Sequence, residues 1–180
     1  MKRSPDSTAQ MLALEALRSG TVASLAMMPF GLIFKSMGLR VGHYEPKVGE
    51  ALFGYQPDPW MPVLLLLLVQ HFVIGWLSAL HLLMFWLWRA PRAIRLGDGL
   101  LYGLAYYLAV NALALPWLFD DAFPWQLGWS TIYPSLVVHL VFGVSIALTA
   151  LMFGFFRFTC GYANPAAPAF AIKRREGNEF

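Results

Sequence analysis

The chain has 180 residues, of which 58% are hydrophobic and only 13% charged. A soluble domain carries about 25% charged residues, so a water-covered globular fold is excluded. The net charge is +3, and the basic residues lie beside apolar runs, which points to a membrane surface and away from nucleic acid.

Residues 1–19 carry Lys2, Arg3 and Arg18 among Met11, Leu12, Leu14 and Leu17, the pattern of an amphipathic cytoplasmic lead-in at the membrane interface. Asp6, Gln10, Glu15 and Arg18 separate the leading charges from the first apolar run, which is unlike a signal peptide, so that run is expected to remain as the first helix. Crossing the hydrocarbon takes about 20 apolar residues. The first span covers about residues 20–39; Pro29 predicts a kink, and Lys35 lies close enough to the end to snorkel. An outer loop follows, whose His43, Glu45 and Glu50 lack a recognised metal-ligand spacing and read as solvated. The second span, 63–88, has no formal charge. The third, 99–119, is expected to end at Pro116-Trp117, and the fourth covers 132–156. Residues 157–180, with Pro165, Pro168 and Lys173 to Arg175, read as a basic cytoplasmic tail. Cys160 is the single cysteine, which excludes an intrachain disulfide.

Unbroken apolar runs of this length are not the alternating strands of a barrel. The expected fold is all-α: a four-helix transmembrane bundle over 20–156. Ten of the thirteen Lys and Arg fall on the side of the termini and of the connection holding Arg89, Arg92 and Arg95; Arg40, Lys47 and Lys35 fall on the other. The positive-inside rule then puts both termini in the cytoplasm. Trp60, Trp117, Trp125 and Trp129 at the outer ends, and Trp86 and Trp88 at an inner end, fit interfacial anchoring.

The second and fourth spans repeat. Leu68 to Leu80 aligns without gaps to Leu136 to Leu148, with seven of thirteen positions identical, including His71 with His139 and Gly75 with Gly143. Both spans run outside to inside, so the chain reads as two helical hairpins related in parallel. Each His has its Gly four residues on, on the same helical face, where glycine admits a neighbouring backbone. Three roles for the imidazoles are open. One is interhelical hydrogen bonding, with Asn111, Gln70, Ser78 and Ser145 as partners. Another is ligation of haem or a metal, since two histidines at matching depth resemble an axial pair. The third is a proton relay or pH-sensitive gate, since histidine titrates near neutrality. His81, ten residues after His71, lies off that face.

No GxSxG, P-loop, HExxH or GxGxxG occurs, and no charge lies deep in a span to serve as a catalytic acid. The expectation is a non-enzymatic membrane protein, an envelope or pH-stress factor or a scaffold and partner subunit. No catalytic residue or cofactor is expected, with Gly75, Gly143 and Asn111 as helix-packing positions. The alternative is a haem- or metal-binding redox protein using His71 and His139. The expected partners are the lipid bilayer and a second copy or a membrane partner subunit.

The order of motifs resembles a known family. A Gly- and Ser-containing helix over 20–39 is followed by His71-Phe-Val-Ile-Gly75. Then comes Gly97-Asp-Gly-Leu-Leu-Tyr-Gly103, leading a helix that reaches Leu115-Pro116-Trp117, and lastly His139-Leu-Val-Phe-Gly143. Over about residues 18–156 this is similar to the YagU-like and related small four-helix bacterial inner-membrane proteins. The resemblance implies a multi-pass inner-membrane location and a loose link to acid resistance. It carries no catalytic residue over, and His71 and His139 are the positions that match the family's helix motifs.

Overall fold

The computed structural model describes residues 5–39, 50, 54, 61–88 and 95–152. His43, Glu45, Arg89, Arg92, Cys160, the basic tail and the last residues expected of the fourth span lie outside them. Apart from short turns, the described residues are helical: α1 (Pro5–Ser36), α2 (Met61–Trp88), α3 (Leu96–Phe119) and α4 (Trp129–Met152), with a 3-10 turn at Pro124–Gln126. The all-α class is thus observed. Among the described residues four helices are long and apolar enough to cross a membrane, which suggests a multi-pass membrane protein.

α1 runs unbroken through Gly20 and Pro29. The stretch expected to lie apart at an interface is instead the first turns of this helix, and it buries Glu15, Ala16 and Ser19. The helix ends where Gly38 takes a left-handed φ of 74°. The Leu39 amide can then reach back to the Phe34 carbonyl at 3.0 Å, closing the last turn.

α3 also continues past its proline. A proline ring clashes with the carbonyl four residues before it and offers no N–H. For Pro116 that carbonyl belongs to Ala112, and the helix widens there into a π segment, Ala109–Ala114, before closing again as Leu115–Phe119. It stops at Asp120, whose left-handed φ of 48° turns the chain away.

α1 packs on both α2 and α4, and α4 packs on both α1 and α3. Successive helices alternate in direction: Phe34 near the end of α1 meets Tyr133 near the start of α4, ring centroids 5.6 Å apart. The shared core is small-residue rich, with Ala16, Ala23, Ala79, Ala147 and Ala150 among Leu82, Leu83, Trp86, Phe142 and Ile146. Small side chains let the helix axes approach, so dispersion between backbones replaces the packing of long side chains.

Candidate histidine and tyrosine site

The closest approaches are at glycine. A Cβ on Gly20 would stand 2.6 Å from the Gly75 carbonyl oxygen, and one on Gly99 would stand 2.6 Å from that of Gly143. Gly75 receives the Ser24 side chain, and Gly143 receives the Gly99 carbonyl and the Gly103 backbone. The same construction appears twice. A small-x-x-x-small stripe, Gly20 with Ser24 on α1 or Gly99 with Gly103 on α3, crosses a His-x-x-x-Gly stripe, His71 with Gly75 on α2 or His139 with Gly143 on α4. The internal repeat therefore extends to α1 and α3, where Gly20-Thr-Val-Ala-Ser-Leu-Ala26 matches Gly99-Leu-Leu-Tyr-Gly-Leu-Ala105 at Gly, Leu and Ala. Three shared residues are too few to notice without the crossings.

The two imidazoles are held differently. His71 Nε2 lies 3.1 Å from the Ser24 carbonyl across the α1–α2 crossing. His139 Nδ1 lies 2.7 Å from the Ser135 carbonyl on its own helix. A carbonyl only accepts, so each of these nitrogens carries the proton and donates. The neutral rings are then opposite tautomers: His71 keeps its lone pair on Nδ1 and His139 keeps it on Nε2. Among the described residues, neither ring bonds to Asn111, Gln70, Ser78 or Ser145, the side chains expected as partners. Asn111 is buried in the π segment and donates from Nδ2 to the Tyr107 carbonyl at 3.1 Å. The Ser145 carbonyl accepts from the Thr149 hydroxyl at 2.7 Å.

His139 is boxed by tyrosines of α3. Its ring lies 5.3 Å from that of Tyr106 and 5.6 Å, edge-on, from that of Tyr107. Tyr106 stacks on Tyr102, centroids 6.2 Å apart and planes within 7°. Tyr102 in turn touches His81 of α2 at 5.9 Å. One step further down α3, Asp98 accepts a hydrogen bond from Trp86 Nε1 at 3.3 Å. Asp98, Tyr102 and Tyr106 recur every four residues and so share one face of α3. The result is a file of hydrogen-bonding side chains running from the start of α3 to its middle and ending on His139.

No protein family, curated protein or solved structure matches this chain.

His71 and His139 sit at different helix crossings, and no ring contact joins them among the described residues. A bis-histidine axial pair needs two lone pairs aimed at one iron from opposite sides, and nothing in these contacts favours that arrangement. Among the described residues no group of three or more His, Cys, Asp or Glu gathers to hold a metal ion.

Three further features escape a reading of the sequence. Trp76 Nε1 donates to the Thr21 hydroxyl at 2.9 Å, fastening α2 to α1 beside the Gly20–Gly75 crossing. Glu15 is buried and ion-paired with Arg18 on its own helix. The tyrosines around His139 look, in sequence, like ordinary aromatic content of a span. The one signal for them is the four-residue spacing from Asp98 through Tyr102 to Tyr106.

Proposed function

We propose that this chain is a multi-pass protein of the bacterial inner membrane that works without catalysis as a proton-responsive element. In this reading the four helices form a transmembrane bundle of two hairpins related in parallel, with both termini cytoplasmic. The Lys and Arg distribution supports that orientation. The YagU-like resemblance, with its loose link to acid resistance, points the same way and is itself part of the proposal.

The observation that carries the reading is the setting of His139. Its Nδ1–H is committed to Ser135, and its ring lies against Tyr106 and Tyr107 of α3. An ionisable group inside a span is costly and marks function by default. Protonating Nε2 would place a charge and a second donor in the α3–α4 contact, beside the tightest glycine crossing of the fold. That contact is the element that would respond. His71 serves as the internal comparison, because its donor is spent on holding α1 to α2. A scaffold or partner-subunit role, including self-association, is compatible with the same bundle. The alternative of a haem- or metal-binding redox protein has no comparable observation behind it.

The test is thermal unfolding in lipid nanodiscs across the pH range in which histidine titrates, roughly 5 to 8. The expected result is a midpoint that moves with pH in the wild type and in His71→Gln but not in His139→Gln. A pH dependence that survives His139→Gln unchanged would remove the proposal.

A further inference from the structure

His139 lies near the middle of α4, and its surroundings toward the two ends of the bundle differ. On the membrane reading α4 runs from the outer side inward and α3 the other way. Toward the outer end the packing is closed: Tyr107, Asn111 and Leu115 of α3, Pro134 and Val138 of α4, and Phe34 of α1 are all buried. The Asn111 amide is spent on the Tyr107 carbonyl, and Tyr107 stands edge-on to the imidazole.

Toward the inner end the neighbours are polar. Tyr106 and Tyr102 are half-buried and continue along one face of α3 to Asp98 in its first turn. Ser78 hydrogen-bonds the Tyr102 side chain, and Trp86 Nε1 donates to Asp98. A phenol oxygen can accept one proton while releasing its own, and a single water bridges polar groups more than about 3.5 Å apart. The ring of His139 is oriented to match. Its Nδ1–H points to the Ser135 carbonyl, one turn nearer the outer end of α4. The two nitrogens of an imidazole diverge, so the Nε2 lone pair points away from Ser135.

We infer that His139 exchanges its proton with the cytoplasmic side alone, along the face of α3 that carries Asp98, Tyr102 and Tyr106. The inference rests on the proton-responsive reading of His139 and adds the compartment whose pH is read. The step is a relay. A hydrated proton enters at the Asp98 carboxylate, each phenol oxygen takes up one proton as it gives up another, and Nε2 receives the last. An imidazolium is left, with the file as it began.

The charged groups around His139 offer no second path. α4 carries no Asp, Glu, Lys or Arg. On α1, which also packs on α4, Glu15 is paired with Arg18 toward the inner end and Lys35 is exposed toward the outer end. From α2, His81 joins the file at Tyr102. Asp120 and Asp121 stand at the outer end, with the buried Leu115 and Asn111 between them and His139 along α3. At the inner end Arg95 is exposed just before α3, and Arg89 and Arg92 precede it in the sequence. Positive charge there lowers the local concentration of protons, which changes the bulk pH needed and leaves the side of entry unchanged.

The test uses the wild-type chain, labelled with nitrogen-15 at histidine, in proteoliposomes with one majority orientation. They hold about pH 8 inside and about pH 5 outside, on either side of the ordinary titration of histidine. Labelling by a membrane-impermeant maleimide gives the share of chains whose Cys160 faces outward. The protonated share of His139 is expected to equal that share, and to equal the remainder when the gradient is reversed. Tyr106→Phe, which keeps the ring, should slow exchange between the neutral and protonated signals by about tenfold or more. A protonated share that follows the opposite population, or that ignores the direction of the gradient, overturns the inference and leaves the proton response standing. An unchanged exchange rate in Tyr106→Phe likewise overturns it. If His139 fails to titrate with equal pH on both sides, the proton-responsive reading itself falls, and the inference with it.

Discussion

Three buried polar side chains, Ser19, Asn111 and Thr149, each donate to the carbonyl four residues back on their own helix. The Trp76 indole has an N–H that hydrocarbon cannot satisfy, and Thr21 supplies the acceptor at 2.9 Å. Such a bond between membrane helices is worth about 0.6 kcal/mol on average, because the separated helices find other partners. A double-mutant cycle of Thr21→Val and Trp76→Phe, read by reversible unfolding in mixed micelles, should return a coupling of about that size. A coupling of zero would mean that the indole finds another acceptor. At this scale the sequence was partly legible. The matched His and Gly of the second and fourth spans could be seen, because histidine is scarce, with four in the chain. The partners of His71 and His139 could not, since both are backbone carbonyls, which no residue type announces.

Among the elements, the tightest contact is that of α3 with α4. A methyl group on Gly143 would collide with the Gly99 carbonyl and lie 2.7 Å from the Gly103 amide nitrogen. Backbone cannot yield as a side-chain tip does, so Gly143→Ala should force the helices apart and cost about 1–3 kcal/mol. Gly97 is the control. It lies in the first turn of α3, and a Cβ added there would meet nothing within 4 Å. Gly97→Ala should be neutral or stabilise by up to about 1 kcal/mol through the unfolded chain. Thermal melts of the two variants in one detergent give the comparison, and equal effects would contradict the close crossing. Most helix positions followed from hydropathy, because an apolar run long enough to cross a bilayer has few other fates. The exceptions have local causes. The helix expected to end at Pro116-Trp117 runs on to Phe119, because a π segment absorbs the clash of the Pro116 ring with Ala112, a cost that periodicity does not encode. The first turns of α1 proved part of the long helix because Glu15, Ala16 and Ser19 face neighbouring helices, which a charge pattern alone presents as a water-facing stripe.

Over the whole molecule, two copies of one crossing, a small-residue stripe against a His-x-x-x-Gly stripe, are joined through the α1–α4 contact. The joint is asymmetric, since the counterpart of α1–α4 is the open α2–α3 seam, spanned by Trp86, His81 and Tyr102. The tyrosine file and the seam are products of that asymmetry. They were illegible in the sequence because they depend on which helices meet, and the repeat alone leaves that choice open. The proton response presupposes that the chain crosses the membrane four times with its termini inside. A single native cysteine, Cys160, makes this directly measurable. The measurement is labelling of Cys160 by a membrane-impermeant maleimide in spheroplasts, before and after permeabilisation, with Asp121→Cys on a Cys160→Ser background as the outer-side reference. A four-span chain with both termini inside requires that Cys160 be labelled only after permeabilisation and Asp121→Cys already in intact spheroplasts. Labelling of Cys160 from outside would contradict it.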